Sequence, residues 1–236
     1  MKEEGPDAPG EQLLSSQRAY YDLRAPDYAS VTAPADRRTR SLLAAEVATA
    51  LIDELEPSGD ALELACGPGM FTRELARHAR SVTAVDASVH MLARSRNEVA
   101  DSKVRYIQGD VFTWVPDRVY DTVFFGFWLS HVPPAMFEQF WSLVRNCLSR
   151  EGRVAFVDED DRGAALEDVR LVAGVPTARR TLSDGRQFDI VKVYWDPADL
   201  RARLAELSFD VRIRRVGETF MYGVGRATGP GRDRSR

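Results

Sequence analysis

The sequence predicts an α/β fold built on a doubly wound, mostly parallel sheet, and three observations lead there. Short apolar runs alternate with segments of helical period between residues 61 and 157. The connections between them are short. The run Thr122–Phe127 is almost wholly apolar, as a central strand covered on both faces must be.

The elements follow in order. A short helix is expected over Ser15–Leu23, ending before Pro26. A longer one runs from about Pro34 to Leu55, where Leu42, Leu43, Val47, Ala50 and Leu51 recur at helical spacing. Pro57, Ser58 and Gly59 make a turn into a strand at Ala61–Ala65, and Met70–His78 is helical. Ser81–Val85 is a strand, Ser88 to about Val99 a helix, and Val104–Gln108 a strand. After the apolar strand, Pro134–Leu148 is a helix and Gly152–Val157 a fifth strand. Thr181–Trp195 turns at Ser183, Asp184 and Gly185 and reads as a hairpin. Asp196 caps a helix reaching Leu207, with Pro197 in its first turn. Phe209–Arg215 and Thr219–Val224 then close a seven-stranded sheet, the last strand antiparallel. Residues 13–226 are expected to form one domain with a cap or insertion at about 161–195; residues 1–12 and 227–236, polar and rich in Gly, Pro or Arg, are expected to be disordered.

Composition narrows the function classes. A net charge of −4, with arginines scattered among acids, gives no basic stripe, so no nucleic-acid partner is expected. Short runs such as Arg37-Arg38 and Arg179-Arg180 read as solvated faces, and Lys2, Lys103 and Lys192 are the only lysines. The two cysteines, Cys66 and Cys147, form no CxxC pair or disulfide framework, which suits a reducing cytoplasm. Met1–Gly10 has no apolar core of a secretory signal, and no run approaches the ~20 apolar residues of a membrane span, so no membrane partner is expected.

In an open α/β sheet, ligands bind beyond the carboxyl ends of the strands. The first predicted strand ends in Glu63, Leu64, Ala65, Cys66, Gly67, Pro68, Gly69, and the glycines of that turn let backbone amides approach a ligand. The second ends in Asp86, about 20 residues on, where an acid commonly holds ribose hydroxyls. The third ends in Gly109 and Asp110, and the fourth runs into Phe127, Trp128 and His131. Each signal alone is weak; three consecutive strand ends in register are not.

Taken together these stretches resemble the motifs of class I S-adenosylmethionine-dependent methyltransferases, which share a Rossmann-like fold. Ala61–Gly69 is similar to their first motif, Val85–Ser88 with Met91 and Leu92 to the second, and Gly109–Val111 and Asp121–His131 to the next two. The segment from Tyr20 and Tyr21 to Tyr28 resembles the family's lid helix. The resemblance implies that Glu63 stabilises the cofactor's amino group and that backbone at Ala65, Gly67 and Gly69 lines its methionine portion. It further implies that Asp86 accepts the ribose hydroxyls, with Ala87 and Met91 flanking sugar and adenine. By the same resemblance Asp110 would take the adenine amine beside Gly109, the Val111 amide a ring nitrogen, and the Phe125 carbonyl the amino group. The expected cofactor is S-adenosyl-L-methionine and the product S-adenosyl-L-homocysteine.

A dinucleotide fingerprint would place a third glycine where Thr72 stands, and assigns nothing to Asp110. His131 is the candidate base, set against a histidine merely held by backbone to shape its loop. Tyr20 is expected to close over the cofactor, and Tyr21, Tyr28 and Trp128 to wall an apolar acceptor pocket. The acids Asp158, Glu159, Asp160 and Asp161 read as a solvated loop, with no metal expected. The reading is methyl transfer to an oxygen or nitrogen, less readily carbon, of a small molecule of the kind specialised metabolism handles. A protein that binds the cofactor without methylating is the alternative, and monomer or homodimer is left open.

Overall fold

The computed structural model describes residues 9–27, 51–52 and 54–229. The long helix expected from Pro34 lies mostly outside them, although residues 51, 52, 54 and 55 are helical. Tyr28 also lies outside the described residues.

Seven strands form one sheet in the order β3-β2-β1-β4-β5-β10-β9. The chain enters at β1 (Asp60–Leu64), crosses through α2 (Met70–His78) to β2 (Ser81–Asp86), and through α3 (Val89–Val99) to β3 (Val104–Gln108). It then returns to the other side of β1 as β4 (Tyr120–Gly126), followed by α4 (Phe137–Cys147) and β5 (Leu148–Glu159). Strands β1 to β5 run parallel to one another. The last strand, β10 (Phe220–Ala227), runs antiparallel to both β5 and β9 (Phe209–Val216), as the sequence predicts. Strand order therefore reverses between β1 and β4, and the cleft opens beyond their carboxyl ends.

The apolar run of β4 is central for the expected reason. Val123, Phe124 and Phe125 are wholly buried, their side chains alternating between the two faces. The Phe125 ring stacks on Phe156 at 5.4 Å between centroids and meets Phe140 and Trp141 edge-on. Phe124 faces the opposite layer and meets Phe71 of α2 at 5.2 Å. Aromatic burial of this kind contributes about 2–3 kcal/mol per ring.

Helix starts are fixed by the residues that precede them. Ser88 accepts from the Met91 amide at the head of α3, and Asp196 accepts from Ala198 and Asp199 at the head of α5 (Pro197–Glu206). Pro134–Met136 makes a tight 3-10 turn ahead of α4 instead of belonging to the helix.

Two departures concern the site. The first helix, α1 (Pro9–Arg24), begins inside the stretch expected to be disordered and runs for 16 residues, beyond both ends of the expected Ser15–Leu23. The predicted hairpin is a three-stranded sheet of β6 (Val169–Val172), β7 (Val175–Thr181) and β8 (Gln187–Val191). Leu13 of α1 packs on Val191 and Val193, so α1 and this small sheet form one cap over the cleft. Among the described residues, no helix is long and apolar enough to cross a membrane.

Candidate functional site

The loop after β1 is shaped by backbone that side chains seldom tolerate. Ala65, Gly67 and Gly69 have φ of 53°, 53° and 92°. The left-handed Ala65 costs about 1–2 kcal/mol, and Phe127 at the end of β4 carries the same strain at φ 53°. Both strained residues line the cleft. The position a Cβ would take at Gly67 is open space, so its peptide can be approached directly. Gly69 acts differently: a Cβ there would sit 2.3 Å from Ser95 Oγ, so its glycine lets α2 start against α3 and is not on the cleft wall.

Asp86 organises the cofactor end. Its two carboxylate oxygens accept from the amides of Gly67 and Ser88, each at 2.8 Å. Burial pushes its carboxyl up, and those amide bonds oppose the rise. Each oxygen keeps a second lone pair, enough for two ribose hydroxyls. Ala87, Met91, Gly109 and Val111 line the cleft beside it. Asp110 accepts from the Phe112 amide at 3.0 Å and from Arg18 of α1 at 2.7 Å. The side chain that resemblance assigns to the adenine amine is thus shared with the cap.

Glu63 lies beneath the glycine loop, not on the wall. Thr72 donates to Oε2 at 2.5 Å, while the buried Oε1 has no partner among the described residues. Burial pushes this carboxyl up to about 8. A folded-state value above the unfolded one means stability present at low pH and lost as pH rises from about 4.5 through 8. The swing is on the order of 5 kcal/mol. Urea unfolding between pH 5 and 9 should show this loss in the cofactor-free chain, and Glu63→Gln should flatten it; an unchanged pH dependence in the variant would refute the assignment.

Four predicted site residues are not brought to the cleft wall. The Phe125 side chain stays in the core, and the wall at that strand end is Gly126, Phe127 and Trp128. Tyr20 is 4% exposed and packs against Phe188, because its face of α1 is the one that docks on β8. Glu63 and Gly69 are the other two.

The other end of the cleft gathers around His131. Its Nδ1 lies 2.7 Å from the Val191 carbonyl, which only accepts, so Nδ1 carries the proton and Nε2 the lone pair. Tyr21 donates its hydroxyl to Nε2 at 2.8 Å. Gln17, which the sequence did not single out, bridges the His131 carbonyl and the Val191 amide, each at 3.2 Å. Burial holds the imidazole well below its ordinary range, helped by the charges of Lys192, Arg180 and Arg24. Arg180 and Lys192 also line this end of the cleft, with Glu167 and Glu159. Arg180 corrects the reading of Arg179-Arg180 as a solvated pair. Strand alternation turns Arg179 outward to Asp189 and Arg180 inward.

The acidic run at 158–161 is also corrected. Asp158 and Asp160 are fully buried at the end of β5. Asp158 accepts from the Ser130 amide and so holds the turn that presents His131, while Asp160 is gripped by Arg162 and Arg215. Among the described residues, no group of three or more His, Cys, Asp or Glu is placed to hold a metal ion.

An open α/β sheet with this switch-point cleft, a left-handed glycine loop and acids on the next two strand ends defines a nucleoside-binding enzyme fold. Comparison with known proteins names the class. A methyltransferase-domain family profile matches residues 61–152. The structure of DhpI in complex with SAM and HEP is 38% identical, covering 91% of this chain and 97% of that one, with a TM-score of 0.76. The uncharacterized methyltransferase Rv0089 of Mycobacterium tuberculosis is 33% identical over 86 residues, which is 35% of this chain. The chain spans 44% of the length of that curated relative. The 1,6-didemethyltoxoflavin-N1-methyltransferase of Burkholderia thailandensis shares the fold at 18% identity and a TM-score of 0.66, covering 97% of this chain and 94% of that one. The chain belongs to the class I S-adenosylmethionine-dependent methyltransferase family.

Proposed function

We propose that this chain transfers the methyl group of S-adenosylmethionine to an oxygen or nitrogen of a small molecule. The observation that carries the reading is the continuity of the cleft. It runs from Asp86 and Asp110 past the open face of Gly67 to the Tyr21–His131 pair. One end has the groups a nucleoside needs; the other has a hydroxyl–imidazole pair where an acceptor would enter.

The residues present suit the cofactor. Gly67 leaves room for its chain, the unused lone pairs of Asp86 suit its ribose, and the orphaned Oε1 of Glu63 sits behind the loop that would carry its amino group. When bound, S-adenosylmethionine supplies a methyl group on a cationic sulfur, which leaves as a neutral thioether once an acceptor lone pair takes the carbon.

The protein's part is placement and proton management. Holding the nucleophile ~3–3.5 Å from the methyl, opposite sulfur, supplies much of the acceleration. A hydroxyl acceptor must also lose a proton. Tyr21 can receive it on oxygen as its own proton passes to Nε2 of His131, leaving an imidazolium held by the Val191 carbonyl. The depressed basicity of the imidazole keeps it neutral before the reaction, with its lone pair on the Tyr21 side. The cap excludes water, since α1 is tied down at both ends of the cleft. Gln17 and Tyr21 hold the acceptor end, and Arg18 and Asp22 reach Asp110 and Ser88 at the other.

Incubation with S-adenosylmethionine and a panel of hydroxyl and amine metabolites should release S-adenosylhomocysteine with one of them. Cofactor binding without product from any acceptor class would favour a protein that binds but does not methylate.

A further inference from the structure

The imidazole of His131 is aimed by parts from three separate segments of the chain. In the small cap sheet the Lys192 amide donates to the Pro176 carbonyl at 2.9 Å, and Val191 stands opposite Thr177 of β7. Bonding alternates along an antiparallel ladder, so the N–H and C=O of Val191 both turn away from β7. The 3-10 turn Leu129–His131 lies along that side of the strand. The Val191 carbonyl takes the proton on Nδ1 of His131 at 2.7 Å, and two residues on the Val193 amide donates to the Ser130 carbonyl at 2.8 Å. The turn that carries the imidazole is thus laid beside β8 much as a neighbouring strand would be.

Gln17 of α1 takes two further backbone groups at this seam, each at 3.2 Å. Its Nε2 donates to the His131 carbonyl and its Oε1 accepts from the Val191 amide. A carbonyl only accepts and an amide N–H only donates, so these partners fix which way the Gln17 amide points. The side chain is 2% exposed, where water does not replace a lost partner freely. One helical turn on, on the same face of α1, Tyr21 donates to Nε2 of the ring. A single helix therefore supports the imidazole twice, at the nitrogen that would work and at the backbone that holds the other. An apolar side chain in place of Gln17 would leave two buried backbone groups unpaired, and a carboxylate would set an oxygen against the His131 carbonyl.

We propose that Gln17 is a positioning residue for His131, and that it makes the base competent only while α1 is docked on β8. With the seam closed, the Val191 carbonyl holds the ring's one proton on Nδ1, and Nε2 presents its lone pair to Tyr21. With the seam open, nothing keeps that proton off Nε2, and an imidazole protonated there cannot relieve Tyr21 of its own. Proton transfer is thereby confined to the covered cleft. The inference rests on the methyl-transfer reading of the same cleft and names how its base is controlled.

The test is nitrogen-15 NMR of the histidine-labelled chain at pH 8, cofactor-free and loaded with S-adenosylhomocysteine. A neutral ring then reports which nitrogen carries the proton. Substitution of His78 and His90 assigns the three histidines. Wild-type His131 should be a single Nδ1–H tautomer. Gln17→Met keeps the length and unbranched shape of the side chain and removes both hydrogen bonds. It should abolish the single-tautomer signal and give an exchanging mixture, with the urea midpoint showing that the chain is folded. Gln17→Asn, polar but one methylene short of the seam, carries the same expectation should the methionine variant not fold. A side chain that only filled space would leave the tautomer unmoved. An unchanged Nδ1–H tautomer in the folded variant overturns the proposal, and so does a wild-type ring protonated on Nε2. A wild-type chain that shows the expected tautomer but takes no S-adenosylhomocysteine would sink the methyl-transfer reading and leave the alignment of His131 by Gln17 standing.

Discussion

Asp86→Ala is expected to weaken S-adenosylhomocysteine binding by about 100-fold or more, the largest effect on affinity of any single substitution in the cleft. The carboxylate has two jobs at once. It ties the Gly67 and Ser88 amides, so it joins the glycine loop to the head of α3, and it keeps two lone pairs for a ribose. Hydrogen bonds to a charged group contribute about 1.5–3 kcal/mol each, and two of them account for the expected factor before any loosening of the loop. Asp86→Asn retains one acceptor oxygen and should fall between wild type and alanine. Isothermal titration checks both variants, with the urea midpoint showing that each is folded. A loss smaller than tenfold in the alanine variant would place the ribose elsewhere.

The second large effect is on turnover. His131→Gln should lower kcat about 100-fold or more for an acceptor that loses a proton, while cofactor affinity stays within about threefold. Tyr21→Phe should do nearly the same, because it keeps the ring against the imidazole, 5.5 Å between centroids, and removes only the hydroxyl. The pH profile gives an independent reading. With the imidazole held well below its ordinary range, its neutral form persists as pH falls through about 6.5, so the acid limb of the rate profile lies below that point. Turnover reduced less than tenfold in His131→Gln would retire the base role. It would leave His131 as a strut between Val191 and Tyr21.

The cofactor half of the site was legible in the sequence because one short stretch of chain writes each part of it. The strand Asp60–Leu64, its glycine turn, Asp86 and Asp110 are each local signals, and parallel βαβ topology brings successive strand ends together without further information. Along β4 an apolar run does not say which peptide last faces the core, and the cleft wall there begins at Gly126. Glu63 was placed on the right strand, but burial beneath the loop is a matter of packing against Thr72 of α2.

The acceptor half was not legible. It joins Gln17 and Tyr21 to Arg180 and Lys192 across more than 150 residues, and only docking of α1 on β8 sets that juxtaposition. The strand β6 escaped notice because four residues with Val169 and Leu171 exposed carry no burial pattern to read. Charged residues deceived the reading for the opposite reason. Arg180, Asp158 and Asp160 look solvated in sequence, yet each is held inside by an oppositely charged or backbone partner. A lone Lys192 in the apolar stretch 190–193, in a chain with three lysines, was the one available hint.

Titration of the wild-type chain with S-adenosylhomocysteine, set beside the same titration with NADH, bears most directly on the central claim. One equivalent of the thioether nucleoside should bind with measurable heat, and the dinucleotide should not. Properly folded protein that ignores the first ligand, or prefers the second, would contradict the account at its root.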